Sequence, residues 1–182
     1  MIEIRIHGRG GQGAVIASKL LAMAFFKEGK FVQSFPTFGV ERRGAPVAAF
    51  VRIDDKQILV RSQIYEPDHI IVLDPTLIDA VDVTQGLKPN GWILINSTKK
   101  PEEFDHLNKF RVSVVNASGI AVRHRLGAKS HPIVNTAILG AFAKITGFVK
   151  IESVLAAVGE EVPVHPEANM KASKEAYESV VM

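Results

Sequence analysis

The run Gly8-Arg9-Gly10-Gly11-Gln12-Gly13 matches G-x-G-x-x-G, the glycine spacing that lets a backbone turn sharply beside a ligand or another chain. It lies between an apolar run, 2–6, and a segment, 12–27, whose apolar residues Val15, Ile16, Leu20, Met23 and Ala24 recur at helical spacing. The turn therefore joins a strand to a helix whose N-terminus attracts anions. A second constellation, Thr37-Phe38-Gly39-Val40-Glu41-Arg42-Arg43-Gly44-Ala45-Pro46, sets two guanidiniums and a carboxylate in a loop bracketed by glycines. Arg presents a planar fork that holds carboxylate or phosphate bidentately, so this loop suits an anionic ligand or a charged protein surface. Phe38 weighs for an interface over a solvated turn, because interface cores combine large apolar residues with Arg.

The glycine turn alone leaves three readings open: a dinucleotide site, a phosphate or partner contact, and a tight turn that only allows close helix–sheet packing. A Rossmann NAD site places Asp or Glu about 20 residues on, at the end of the second strand. Here that strand ends in Gln33, Ser34, Phe35 and Pro36, and Glu28 falls at the end of the helix beside Gly29, a solvent-facing place. Other reactive residue types give no catalytic constellation. Cysteine is absent, which excludes a ferredoxin-type cluster held by this chain. The six His residues form neither HExxH nor a helical pair, and His131 and His165 precede prolines in expected turns, so no metal site is assigned. Ser97, Thr98 and Ser118 follow strands with no His or acid at recognisable spacing, and no catalytic residue is assigned. Asp74 before Pro75 reads as a helix cap; Asn135 reads either as a cap or as part of a site.

The elements that must position these groups alternate strand with helix. Strands are expected over 2–6, 32–35, 46–53, 70–73, 92–95 and 111–115, with 58–60 as a short partner across the Asp54-Asp55 turn. Helices are expected over 12–27, 75–85, 118–126, 133–146, 151–158 and 166–181, and Trp92 is expected in the core. This order predicts an α/β fold, a Rossmann-like three-layer α/β/α sandwich with an inserted β-hairpin, in one domain spanning 1–182. A chain of 182 residues with 47% hydrophobic content buries a full core without disulfides. The formal net charge is only +3, and the 22 basic residues form no tract, which argues against nucleic acid as a partner. No apolar run reaches the roughly 18 residues needed to span a bilayer and no leader pattern opens the chain, so no membrane contact and a cytoplasmic location are expected.

The opening IRIHGRGGQGAVIASKLLAMA, with QSFPTFGVERRGAPVAAFVRI after it, resembles the gamma subunit of pyruvate:ferredoxin oxidoreductase, equivalent to one internal domain of the single-chain forms. NTAILGAFAKITG, with Asn135 and Gly140, and the closing NMKASKEAYE continue the likeness, which is looser from about 83 to 115. In gamma-like chains the loop often reads E-x-R-G-G; Glu41, Arg43 and Gly44 match, while Ala45 replaces the second glycine. The run FGVERRGAPV is most similar to pyruvate-type subunits, which favours pyruvate over indolepyruvate or branched-chain oxoacids. The resemblance implies a complex with alpha, beta and delta subunits that decarboxylates a 2-oxoacid oxidatively, forms an acyl-coenzyme A and reduces ferredoxin. Thiamine diphosphate and iron–sulfur clusters are then expected in the partners, since this chain also lacks a GDG segment followed by Asn at thiamine-diphosphate spacing. The chain itself is expected to be architectural, with Gly8, Arg9, Gly10, Gly11, Gln12, Gly13, Phe38, Glu41, Arg42, Arg43, Gly44 and Asn135 as ligand or subunit-interface candidates and coenzyme A at that interface. Against this stand an independent dinucleotide-binding oxidoreductase and a gamma subunit serving a different 2-oxoacid.

Overall fold

Alternation along the strands decides the layers of this molecule. The structure, a computed structural model, describes residues 1–37 and 43–182. Six strands, β1 (Ile2–Arg9), β2 (Phe31–Pro36), β3 (Pro46–Asp54), β4 (His69–Val72), β5 (Trp92–Asn96) and β6 (Arg111–Val115), form one sheet in the order β2-β3-β1-β4-β5-β6. Strands β1, β4, β5 and β6 run parallel, while β3 lies antiparallel between β1 and β2. On one face Ile4, Ile6, Val51, Ile53, Ile71, Leu94 and Val115 join a core with five helices. These are α1 (Ala14–Lys27), α3 (Ala117–Arg123), α4 (Ala137–Thr146), α5 (Ile151–Glu161) and α6 (Pro166–Ser179). Each fully buried Ile or Leu of this kind contributes roughly 1.5–3 kcal/mol relative to exposure.

The alternate positions Ile70, Val72, Ile93, Ile95 and Val114 face a smaller core on the other side. It is closed by Leu77 of the short helix α2 (Leu77–Ala80), by Val83 and Leu87, and by Phe104 and Leu107 from two 3-10 turns. The layers are thus α/β/α, as the sequence order implies, but unequal. On this back face β1 and β3 present Arg5, His7, Phe50 and Arg52 where the parallel strands present aliphatic residues.

The inserted hairpin is β2–β3, with Phe31 opposite Asp54 and Pro36 opposite Ala49, and 58–60 takes no part in it. Both edges of β3 are already filled by β1 and β2, so 58–60 cannot pair with it as expected, and Leu59 and Val60 are exposed. The expected helix over 75–85 is cut to four residues, because Val81 is extended at φ −143 and Asp82 turns its carboxylate to the N–H and hydroxyl of Thr84. Helix α3 starts where Asn116 caps Gly119 N–H at 2.8 Å and stops at Arg123, short of 126. Helix α4 begins at Ala137, and 133–136 form a turn entered from the small ladder of β7 (Gly127–Ala128) and β8 (His131–Pro132). Helix α6 ends at Ser179, and Val181 instead bridges Val114 at the sheet edge. Trp92 is half-buried, with Arg111 stacked 5.6 Å from its ring.

Candidate functional site: a crevice at the carboxyl ends of β1 and β4

Strand β1 leads into α1 on the five-helix face, whereas its parallel neighbour β4 leads into α2 on the opposite face. Chains that part in opposite directions from adjacent strands leave a crevice between them, the place where α/β sheets bind ligands. A cavity of about 630 Å³ occupies it, lined by Arg9, Gly10, Gly11, Gln12, Gly13, Arg43, Gly44 and Asn135 among others. Gly8 lies just beneath, in the strand, where an added Cβ would sit 3.3 Å from both Ala14 and Leu73. Nine of the twelve residues singled out in the sequence therefore meet at one place; Phe38, Glu41 and Arg42 lie outside the described residues.

The glycine turn is held from three directions. Gly10 N–H donates to Ala45 O at 2.9 Å and Gly44 N–H donates to Gly10 O at 3.0 Å, which ties the loop before β3 to the turn. Gln12 Oε1 accepts from Arg9 N–H at 2.7 Å, and its Nε2 donates to Asp74 Oδ2 at 2.8 Å. Arg9 spans the crevice, with Nε 3.2 Å from Asp74 Oδ2, Nη1 donating to Gly44 O and Nη2 donating to Thr76 Oγ1 at 2.8 Å. Burial alone would raise the Asp74 carboxyl, but hydrogen bonds from Thr76 and Gln12 and the Arg9 charge outweigh it and hold its pKa below the ordinary value. Asp74 also accepts from the Thr76 N–H at 3.0 Å, so it holds the turn ahead of α2 and clamps the glycine turn, while the N-cap position expected of it falls to Thr76.

Asn135 closes the crevice from the helical side. It is 4% exposed, and an added Cβ on Gly13, already at φ 80, would fall 2.3 Å from Asn135 Nδ2. Among the described residues its Nδ2 donates only a long bond to Gly13 O, at 3.5 Å, and its buried Oδ1 has no hydrogen-bond partner. The two C-terminal motifs meet to fix it. Thr136 Oγ1 donates to Asn169 Oδ1 at 2.7 Å, Ser173 Oγ donates to Thr136 O at 2.9 Å, and Gly140 lets α6 approach so closely that a Cβ would lie 1.8 Å from Ser173 O. Asn135 is therefore no helix cap; it is an arm of the α4–α6 contact laid over the glycine turn.

Among the described residues no side chain caps the N-terminus of α1, and its N-cap Gly13 and first-turn Ile16 line the crevice. Arg9 is consumed by Asp74, and Arg43 is the exposed arginine on the lining. An adjoining cavity of about 460 Å³ shares Ile16, Ile133 and Asn135 and is lined largely by apolar side chains such as Leu20, Leu126 and Val164. The site thus offers an anion-binding arm and an apolar arm, with an unsatisfied carbonyl oxygen where they join. The NAD reading fails on topology, because β3 occupies the place beside β1 where a Rossmann second strand would bring its acid.

Residues 3–179 match the pyruvate ferredoxin/flavodoxin oxidoreductase family. The chain belongs to that family. Within this pyruvate ferredoxin/flavodoxin oxidoreductase family it is 56% identical to the pyruvate/ketoisovalerate oxidoreductases common subunit gamma of Thermococcus kodakarensis, over 100% of this chain and 98% of that one. It is 51% identical to pyruvate synthase subunit PorC of Methanocaldococcus jannaschii, again over 100% and 98%. Among solved structures, the pyruvate oxidoreductase subunit PORC of Thermotoga maritima superposes with a TM-score of 0.81 at 35% identity, covering 99% of this chain and 97% of that one.

Sequence reasoning missed Asp74 as a member of the site, together with Asn96, which donates to Leu73 O at 2.9 Å and to Ser118 Oγ at 3.0 Å on the same wall. Asp74 carried a usable signal: an acid directly after a buried parallel strand lies at the sheet end where ligands bind. Nothing in the sequence marks Asn96.

Proposed function

We propose that this chain is the gamma-type subunit of a complex that decarboxylates pyruvate oxidatively, transfers the acetyl group to coenzyme A and passes electrons to ferredoxin. Its part is architectural and ligand-assisting: the crevice holds the phosphates of coenzyme A against the α1 N-terminus and Arg43, with Asn135 beside the less polar portion. The observation that carries this reading is the pairing of an uncapped helix N-terminus with a buried, unpartnered Asn135 Oδ1 in one cavity. In this reading the redox and thiamine chemistry is assigned to alpha, beta and delta partners, in keeping with a sequence that has no cysteine to hold a ferredoxin-type cluster. Among the described residues no helix is long and apolar enough to cross a membrane.

Pyruvate is favoured by the PorC relatives and by the resemblance of FGVERRGAPV to pyruvate-type chains. The Thermococcus kodakarensis relative, named as common to pyruvate and ketoisovalerate oxidoreductases, supports a second reading in which the same gamma chain also serves a branched-chain oxoacid and leaves substrate choice to other subunits. The test is to tag the chain at native expression, isolate its partners and assay oxoacid- and coenzyme A-dependent viologen reduction with pyruvate and with ketoisovalerate. Arg43→Glu is expected to raise the coenzyme A KM roughly tenfold or more with kcat little changed. An unchanged KM in an intact complex would leave the crevice a structural joint.

A further inference from the structure

The two edges of the sheet end differently. At β6 the chain closes its own edge: Val114 N–H donates to Val181 O and Val181 N–H donates to Val114 O, both at 2.9 Å. At β2 nothing among the described residues does the same. Thr37 N–H donates to Ala48 O at 2.8 Å, one step beyond the pair Pro36–Ala49. Hydrogen-bonded pairs alternate along an antiparallel ladder, so the backbone groups of Phe31, Gln33 and Phe35 also point to β3, and those of Val32 and Ser34 point outward. Lys30 N–H is taken by Phe25 O and Pro36 has no N–H, so the open stretch is centred on Gln33. Soluble proteins blunt such an edge with charged side chains, bulges or a covering element. Phe31–Pro36 carries no charged side chain, and its ladder to β3 runs without a bulge.

Apolar surface gathers at the same edge. Phe31 is 49% exposed, and across the turn that enters β2, Phe26 at the end of α1 is 60% exposed. Ser18 Oγ meets Ser34 Oγ at 2.9 Å, which sets α1 over β2, and exposed Val15 borders Pro36 and Thr37 at the far end of the strand. The strand is also its own complement. Laid antiparallel with Gln33 opposite Gln33, a second copy brings Ser34 opposite Val32, where each N–H meets the other residue's C=O on both sides of the centre. It also brings Phe31 opposite Phe35, an aromatic pair on the face where Phe35 lies 5.3 Å from Phe50. Moving the centre to Ser34 sets Val32 C=O against Pro36, which has no N–H, and moving it to Val32 sets Ser34 C=O against Lys30, whose N–H is taken. A strand from an unrelated chain needs only an extended backbone; the match of this strand to its own antiparallel copy is what a closed symmetric contact requires. We propose that β2 is a contact between two copies of this chain, which join their sheets antiparallel across Gln33. The inference goes beyond the coenzyme A reading and does not depend on it.

The chain has no native cysteine, so one introduced thiol reports the geometry. Gln33→Cys sets two thiols on the symmetry axis with Cα atoms about 4.5 Å apart, within the span a disulfide bridges. Under mild oxidation of the full chain with diamide, Gln33→Cys is expected to form a covalent dimer at least roughly tenfold faster than Phe31→Cys, which faces Phe35 instead. Light scattering is expected to give a dimer for wild type and a monomer for Ser34→Pro, which removes an outward N–H that the fold does not use. Circular dichroism and melting report folding; Phe31→Lys alters an exposed side chain, keeps the fold where Ser34→Pro does not, and is expected to weaken the dimer at least roughly tenfold. A Gln33→Cys link found only within the purified complex also supports the contact. A wild-type chain monomeric at every concentration, with the Val32 and Ser34 amides exchanging freely in the complex as well, overturns the proposal. Slowed exchange at those amides in the complex without a Gln33→Cys link there assigns the edge to a partner's strand and overturns it too. So does a dimer that folded Ser34→Pro and Phe31→Lys leave intact, or one in which Phe31→Cys links as fast as Gln33→Cys.

Discussion

The crevice at the strand ends and the back face each hold an arginine of β1, and they treat it in different ways. Arg9, part-exposed, meets Asp74, which Gln12 and Thr76 hold in place, so it is ion-paired inside the chain and serves to shape a turn. Arg5, 7% exposed, is held by His7 and two backbone carbonyls, with Asp82 favouring its charge through space and no ion pair among the described residues. The first arrangement clamps a turn with a salt bridge, and the second fixes a buried side chain against backbone.

The largest expected effect tests the rigidity of the cradle. Gly140→Ala drives a Cβ into the backbone of Ser173, which no side-chain rotation relieves, and is expected to lower the unfolding free energy by about 3 kcal/mol in a urea titration. A loss below about 1 kcal/mol would show that α4 and α6 adjust freely and that Asn135 is not fixed by them. On the back face the probe is pH. Burial, then the Arg5 charge, lowers His7 from 6.5 to about 4, so between those values the unfolded chain takes up a proton that the folded chain refuses. Stability is therefore expected to fall by about 2–3 kcal/mol as pH drops from 6.5 to 4, a slope that His7→Gln removes. A wild-type curve with no such slope would mean that His7 is not sealed beneath Arg5.

Gly13→Ala is expected to cost about 2 kcal/mol from its positive φ and its clash with Asn135, and Asn135→Ala in the same chain should recover the part due to the clash. No recovery would place the whole cost in the backbone. The smallest effect belongs to Asp74. Its folded pKa is depressed, so the clamp stabilises above the ordinary carboxylate range and is lost as pH falls through the folded value; Asp74→Asn is expected to lose about 1 kcal/mol at pH 7 and to show a shallower acid transition. Equal acid transitions would show that Arg9 and Gln12 hold the turn without it.

Local pattern carried the strands, the glycine turn and the long helices to within a few residues, because burial on one face imposes a period that a sequence must repeat. It failed where tertiary neighbours decide. Residues 58–60 have strand composition but find both sides of β3 taken, and 75–85 has helical spacing but gives way at Asp82 to a local turn that lays Val83 against the sheet. In the site, Gly8 to Gly13 were legible as a turn, and Gly11 and Gly13 take the positive φ that favours glycine. That Asn135 would lie over Gly13, 122 residues away, was not, because the contact is set by the packing of α4 on α6.

The sequence by itself determined the α/β order, the glycine turn at the start of α1, the lack of cysteine for a ferredoxin-type cluster and the family likeness, all properties of residue type and spacing. Only the tertiary structure decided which charges are matched. Arg9 and Arg5 are four residues apart on one strand and the pleat points both to the same side, yet place along the strand sets Arg9 beside Asp74 at the strand end and Arg5 against the carbonyls of Val83 and Gln85. Pairing across a fold depends on what the chain brings near from 60 to 80 residues away, and no local pattern records that distance.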